Sequence, residues 1–321
     1  MQTPQIVPSG HACGSEIVGV DLSAPGMLTV EALREALREH LALVVRGTRL
    51  TDESLLALGT IFGTPEMQGV SVLNQQADEV RQENLVVSNR MLLERPTGTI
   101  GRGESAWMTE LSYRMRPCSI ALLHALEVPA TGGEMAFANQ YLAYERLPDD
   151  LRQRIEGRML LHDESRLNDG SLRKGHVEVT DPREATGAQH RIVRTHPQTR
   201  RKALYLGRRR NSYVEGYSRA ESDAVLEELW AHVTQPRFTY EHVWKLGDLV
   251  MWDNRSTMHR RDPFDGEARR VMHRTQIKGS HRPAAFAAST SPLASQMTPS
   301  KTRKPPPGPG KQTGSSFSAT L

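Results

Sequence analysis

A histidine and two arginines near the C-terminal end of the chain are the first residues whose types and spacing could do chemistry. Residues 249–252, Leu-Val-Met-Trp after the turn formers Gly247 and Asp248, predict a short buried strand, because so brief an apolar run is too short for an ordinary helix. His259 falls just beyond that strand. A Pro/Gly-punctuated hairpin connection is expected over 262–266, and a second strand over 269–277. The two-residue alternation of a strand then puts Arg270, Met272 and Arg274 on one face. Two guanidiniums opposite an imidazole make a pocket suited to a carboxylate. Singly, such residues are most often a satisfied polar histidine and solvated arginines, so the combination carries the weight.

A second stretch of the same kind lies mid-chain. Residues 107–113 read Trp-Met-Thr-Glu-Leu-Ser-Tyr and are followed by an apolar strand over 119–126. Then come Thr131-Gly132-Gly133-Glu134 and Phe137-Ala138-Asn139. With residues 243–279, these segments resemble the TauD/TfdA family of Fe(II)/2-oxoglutarate-dependent dioxygenases. In that family a Gly-Asp turn, a Trp-Asp-Asn strand end, a metal-binding His and, eleven residues later, a 2-oxoglutarate-binding Arg recur. Its other half reads Trp-His-Thr-Asp, with a later Gly-Gly-Asp-Thr whose hydroxyl serves 2-oxoglutarate.

The resemblance spans roughly residues 7–283. It implies a mixed α+β (α/β) fold with a double-stranded β-helix, or jelly-roll, core and flanking helices; periodicity alone gives only mixed α and β. It also implies Fe(II) and 2-oxoglutarate as cofactors, with Glu110 and His259 as metal ligands, Arg270 as the 2-oxoglutarate ligand and Arg274 as the ligand of an anionic substrate. Glu110, His259 and Arg270 are the expected catalytic set. The frame is kept, but three contact positions change: Met108 stands where the first His belongs, Glu110 where the Asp belongs, and Met135 where the Thr belongs. A thioether is a soft ligand, a poorer donor to Fe(II) than imidazole, and it cannot donate a hydrogen bond to 2-oxoglutarate.

Three readings follow. One is an oxygenase that hydroxylates a small anionic molecule, a carboxylate or sulfonate, with Glu110 and His259 holding iron. Another is a catalytically impaired member that binds a small acid through Arg270 and Arg274, or serves as a scaffold. The third is a softer-metal site built from Met108, His259 and Met135. Against all three, methionine is a routine core packer.

The elements that must position these residues can be traced in order. A short strand pair is expected over 4–22, then a helix from Thr29 with Leu33, Leu37 and Leu41 on one side and Glu31 as early negative charge. A buried strand follows over 41–46, and a second helix begins near Thr51-Asp52-Glu53. Residues 64–106 are polar apart from a strand over 85–88, and Gly98 to Gly103 would suit a loop approaching a site. One helix is expected across 144–155, a strand over 158–162, a charged loop over 166–189, and a hairpin over 192–207. Residues 222–233 predict an amphipathic helix. The run Arg208-Arg209-Arg210 favours an anionic ligand but is more often a solvated loop. His124, His162, His190 and His196 have no ligand-like spacing.

Composition narrows the classes. At 321 residues with 37% hydrophobic and 24% charged, the chain is expected to be an ordinary soluble protein, with no run near the eighteen or so apolar residues of a membrane span. The net charge of +4 sits entirely in residues 284–321, which hold Lys301, Arg303, Lys304 and Lys311 and no acid, so residues 1–283 are neutral overall. A neutral body argues against nucleic acid as a partner. The division expected is a single domain over 1–283 and a disordered Pro/Ser/Thr-rich tail over 284–321. Two distant cysteines, Cys13 and Cys118, and no basic-then-apolar N-terminus make the cytoplasm the expected compartment. A small-molecule partner is expected, with homo-oligomerisation as the family often shows.

Overall fold

The computed structural model describes residues 4–66, 84–88, 91–92, 95–96, 106–166, 170–207 and 210–280. The expected loop at 98–103, Arg208 and Arg209, and the tail over 284–321 lie outside these. So does the boundary proposed at 283.

The strands in chain order are β1 (Gln5–Pro8), β2 (Ser15–Val18), β3 (Ala42–Val45), β4 (Asn84–Ser88), β5 (Met91–Leu92), β6 (Arg95–Pro96), β7 (Ile120–Glu127), β8 (Met135–Asn139), β9 (Met159–Asp163), β10 (Gly187–Arg191), β11 (Val193–Thr195), β12 (Lys202–Leu204), β13 (Tyr213–Val214), β14 (Thr239–His242), β15 (Leu249–Asp253), β16 (Thr257–Arg261) and β17 (Val271–Ile277). The helices are α1 (Met27–His40), α2 (Asp52–Thr60), α3 (Gln140–Glu145), α4 (Asp149–Ile155) and α5 (Arg219–Val233). Among the described residues, the major sheet runs β1-β2-β3-β15-β7-β17-β4 and a minor sheet runs β14-β8-β16.

Side-chain alternation shows how these stack. In β15, Leu249 and Met251 pack with Leu33, Leu37, Leu55 and Leu58 of α1 and α2, while Val250 and Trp252 point the other way. In β7, Ile120 and Leu122 join the helix side, and Ala121, Leu123 and Ala125 join Val250 and Trp252. Met135 and Phe137 of β8 meet that second face from the minor sheet. The far side of the minor sheet, Ala138 and Met258, packs on α3, α4 and α5 through Ala143, Leu151 and Leu226. The layers are therefore helices, major sheet, minor sheet, helices. The two sheets enclose a core whose large apolar members, such as Phe137, contribute about 1.5–3 kcal/mol each by burial.

Several expectations are corrected. His259 lies beyond β15 as expected, but in a further strand, β16, that was not expected, because Asn254 to Ser256 already make the turn. Residues 262–266 are not a hairpin: β16 belongs to the minor sheet and β17 to the major, so the connection crosses between sheets. β17 starts at Val271, with a bulge between Val271 and Met272. The single helix expected over 144–155 is two, because Pro148 adopts an extended backbone (ψ 143°) and restarts the chain as α4. Helix α1 begins at Met27 and has no acid in its first turn; Glu31 pairs instead with Arg34. The β1–β2 pair, α2 capped by Thr51, and the β11–β12 hairpin follow the sequence pattern. Helix α5 starts three residues early on a Ser218–Glu221 capping box.

Candidate functional site

The site is built on one cross-strand pairing. Met108 and His259 exchange backbone hydrogen bonds, Met108 N–H to His259 O and His259 N–H to Met108 O, both 2.9 Å. The preceding pair, Trp107 and Arg260, meets on the outer side with the guanidinium 5.5 Å from the indole centroid. Alternation therefore turns Met108 and His259 together to the inner side. The β8–β16 register adds Phe137 opposite His259 and Met135 opposite Arg261. From the major sheet, Met272 faces inward and Arg274 and Gln276 reach Glu110, while His273 and Thr275 turn to Asp52 and Gly59 of α2.

Glu110 is held by its backbone and by both carboxylate oxygens. Its N–H donates to Asn254 Oδ1 at 2.8 Å, and Asn254 Nδ2 donates back to Glu110 O at 3.0 Å and to Cys118 O at 2.8 Å. The chain then turns at Leu111, a non-glycine residue in left-handed backbone (φ 53°), which ends the extended run and leaves the carboxylate inside. Arg274 Nη1 donates to Oε1 at 2.7 Å and Gln276 Nε2 to Oε2 at 3.0 Å. His259 Nε2 lies 3.4 Å from Oε1. The imidazole sits between Trp252 (5.1 Å between centroids) and Phe137 (6.4 Å), and its Nδ1 has no hydrogen-bond partner among the described residues.

Arg270 lies deeper, only 1% exposed, with its guanidinium 5.9 Å from the Trp244 ring. Burial, then the neighbouring Arg261 guanidinium, lower its pKa to about 9. Arg261 is itself buried, over Phe264, and its pKa is lowered by the same desolvation. Gly133, at φ 76°, lets the chain pass Arg270: a Cβ there would lie 3.4 Å from its Nε. Gly132 does the same for the crossing loop, where a Cβ would stand 2.7 Å from Pro263 O.

Iron and 2-oxoglutarate can be tested against these donors. A facial metal site of this family needs two imidazoles and a carboxylate with open oxygens. Here a thioether residue is paired with His259, and a guanidinium and an amide engage both oxygens of Glu110. Among the described residues no three His, Cys, Asp or Glu side chains gather as a metal cluster. The donor set does not fit that metal centre. For 2-oxoglutarate, Arg270 fits a carboxylate, whereas buried Met135 brings no hydroxyl; a hydrogen bond to a charged acceptor contributes about 1.5–3 kcal/mol.

The sequence-predicted residues Met108, Glu110, Met135, His259, Arg270 and Arg274 thus line one interior. Arg274, expected to meet substrate, is paired with Glu110. Arg261 and Gln276 were missed; each lies two residues from a named candidate on the same strand face, which is the signal that would have found them. Arg210 lies apart, paired with Glu178 on the surface. His124, His162, His190 and His196 are buried, His196 against Asp253 at 3.1 Å. No helix among the described residues is long and apolar enough to cross a membrane.

Comparison with known proteins agrees with this architecture. The model of the taurine catabolism dioxygenase TauD, TfdA family matches residues 5–276. Pentalenolactone F synthase of Streptomyces avermitilis is 32% identical over 290 residues, 83% of this chain and 90% of that protein. The (S)-phenoxypropionate/alpha-ketoglutarate-dioxygenase of Delftia acidovorans is 31% identical over 291 residues, 87% and 97% of the two chains. The crystal structure of AAD-2 in complex with Mn(II) and N-oxalylglycine is similar with a TM-score of 0.71 and 31% identity, covering 88% of this chain and all of that one. A taurine dioxygenase from Burkholderia xenovorans gives 0.68 and 28%, covering 87% and 92%. These similarities support the class of Fe(II)/2-oxoglutarate dioxygenases and the jelly-roll core, and they imply a metal and 2-oxoglutarate.

Proposed function

This chain belongs to the taurine catabolism dioxygenase TauD, TfdA family, and on that premise we propose that its barrel interior binds a small 2-oxo or dicarboxylic acid of the 2-oxoglutarate type through Arg270, with metal-dependent oxidation lost or much reduced. The observation that carries this is the buried Arg270 guanidinium beside that of Arg261, both with pKa values lowered by desolvation. A guanidinium buried this deeply beside a second one is costly, and a carboxylate docked on it would offset part of that cost. The planar fork of Arg270 suits a bidentate grip on the acid. Phe137, Trp252 and Met272 belong to the buried apolar cluster of that interior, and Gly133 leaves room beside the guanidinium. With Met135 at the expected hydroxyl position, one hydrogen bond to the acid is missing, so binding is weaker than with threonine.

A second reading is favoured by one distance: Glu110 Oε1 and His259 Nε2 are 3.4 Å apart, close enough for both to meet one metal ion. An oxygenase acting on a small anionic organic molecule would then use those two donors, provided that Arg274 left the carboxylate. Succinate release separates the readings. Supplied with Fe(II), 2-oxoglutarate and ascorbate, the parent is expected to release none above background. Met108→His with Met135→Thr, which restores an imidazole and a hydroxyl, is expected to release it. Turnover by the parent would favour the second reading.

A further inference from the structure

The charge balance at Glu110 leads to a different use of Arg274. Glu110 is 8% exposed, and its carboxylate is met at one oxygen by Arg274 and at the other by Gln276. The chain itself therefore supplies a cation to this carboxylate, from β17, two residues along the same strand face from the amide that holds the other oxygen. Beside it stand the His259 imidazole and, cross-strand to that, Met108. We propose that Arg274 is a built-in counter-cation, holding Glu110 in the position where a divalent metal would otherwise neutralise it, so that any metal must compete with the Arg274–Glu110–Gln276 contacts.

The inference rests on the acid-binding reading only in placing Arg274 outside the acid's grip. Its physical basis is that a buried carboxylate needs one counter-charge, and a divalent ion brought beside an arginine already paired there meets repulsion and a ligand already engaged. The loss of an imidazole at position 108 and the presence of a cation at 274 act in the same direction. They are separable, because each can be changed alone.

The test is titration with Mn(II), following the loss of the free-ion EPR signal, on the parent, Met108→His, Arg274→Gln and the double variant Met108→His/Arg274→Gln, with Arg274→Leu as a second removal of the charge. The parent is expected to show no saturable binding in the micromolar range. The double variant should bind Mn(II) about 10- to 100-fold more tightly than Met108→His alone, the range that groups next to a metal ligand command. Equal affinity in those two proteins, or micromolar saturation of the parent, overturns the proposal; circular dichroism establishes that the compared variants are folded, and Met108→His/Arg274→Leu repeats the comparison with a second removal of the charge. 2-Oxoglutarate binding measured in the same samples without Mn(II) keeps the two claims apart. Its loss with the Mn(II) ordering intact sinks the acid-binding reading alone, and the converse sinks the counter-cation alone.

Discussion

Arg274 Nη1 lies closer to Glu110 Oε1, at 2.7 Å, than His259 Nε2 does at 3.4 Å. The carboxylate is thus bonded first to a guanidinium and only second faces an imidazole. Removing one partner leaves a buried charge without its counter-charge, so Arg274→Leu is expected to cost about 3 kcal/mol of stability. Glu110→Gln/Arg274→Leu should cost clearly less than the two single changes added together, as a denaturant double-mutant cycle would read.

Arg270→Lys keeps a positive charge but not the planar fork. We expect it to weaken 2-oxoglutarate binding by about tenfold or more, nearly as far as Arg270→Ala, in calorimetric titration. Recovery of most of the affinity by lysine would mean that charge alone, and not bidentate geometry, holds the acid.

Gly133→Ala tests the approach of the chain to Arg270. The residue has φ 76°, where an alanine is strained by about 1–2 kcal/mol, and its Cβ would touch Nε at 3.4 Å. A modest fall in stability should accompany a larger loss of acid binding than any change at Gly10, which has φ 78° and open space around it.

Two buried pairs set the pH dependence of stability. His196 and His242 have pKa values lowered by burial, while Asp253 and Asp248, which they face at 3.1 and 3.2 Å, are also lowered, Asp253 mainly by Arg255 and Asp248 mainly by His242, against their own burial. A neutral histidine facing an ionised aspartate satisfies both shifts. The unfolded chain then binds more protons on each histidine as pH falls below about 6.5 and on each aspartate below about 4. Urea midpoints should therefore drop from pH 7.5 to 5.5 and again below 4, and Asp253→Asn should flatten the lower step.

Much of this was legible in the sequence because the decisive signals were local. Alternation puts Met272 and Arg274 on one face of β17, although Arg270 stands before that strand and across its bulge, and the Trp-Met-Thr-Glu frame marks Met108 and Glu110. What stayed hidden depends on which strands meet. The five residues of β16 look like a loop because Asn254 and Ser256 precede them and Arg260 and Arg261 end them, yet pairing with β8 and Met108 makes them a strand. Arg261, which ends β16, has its guanidinium over Phe264 in the segment that crosses from the minor sheet to the major. The Glu110–Arg274 bond joins residues 164 positions apart, and no pattern in either segment announces it.

The most direct measurement is calorimetric titration of 2-oxoglutarate into the full chain after EDTA treatment and dialysis. Saturable binding near one site per chain is expected without added metal, and it is lost in Arg270→Ala. Absence of binding until Mn(II) or Fe(II) is supplied would contradict that expectation.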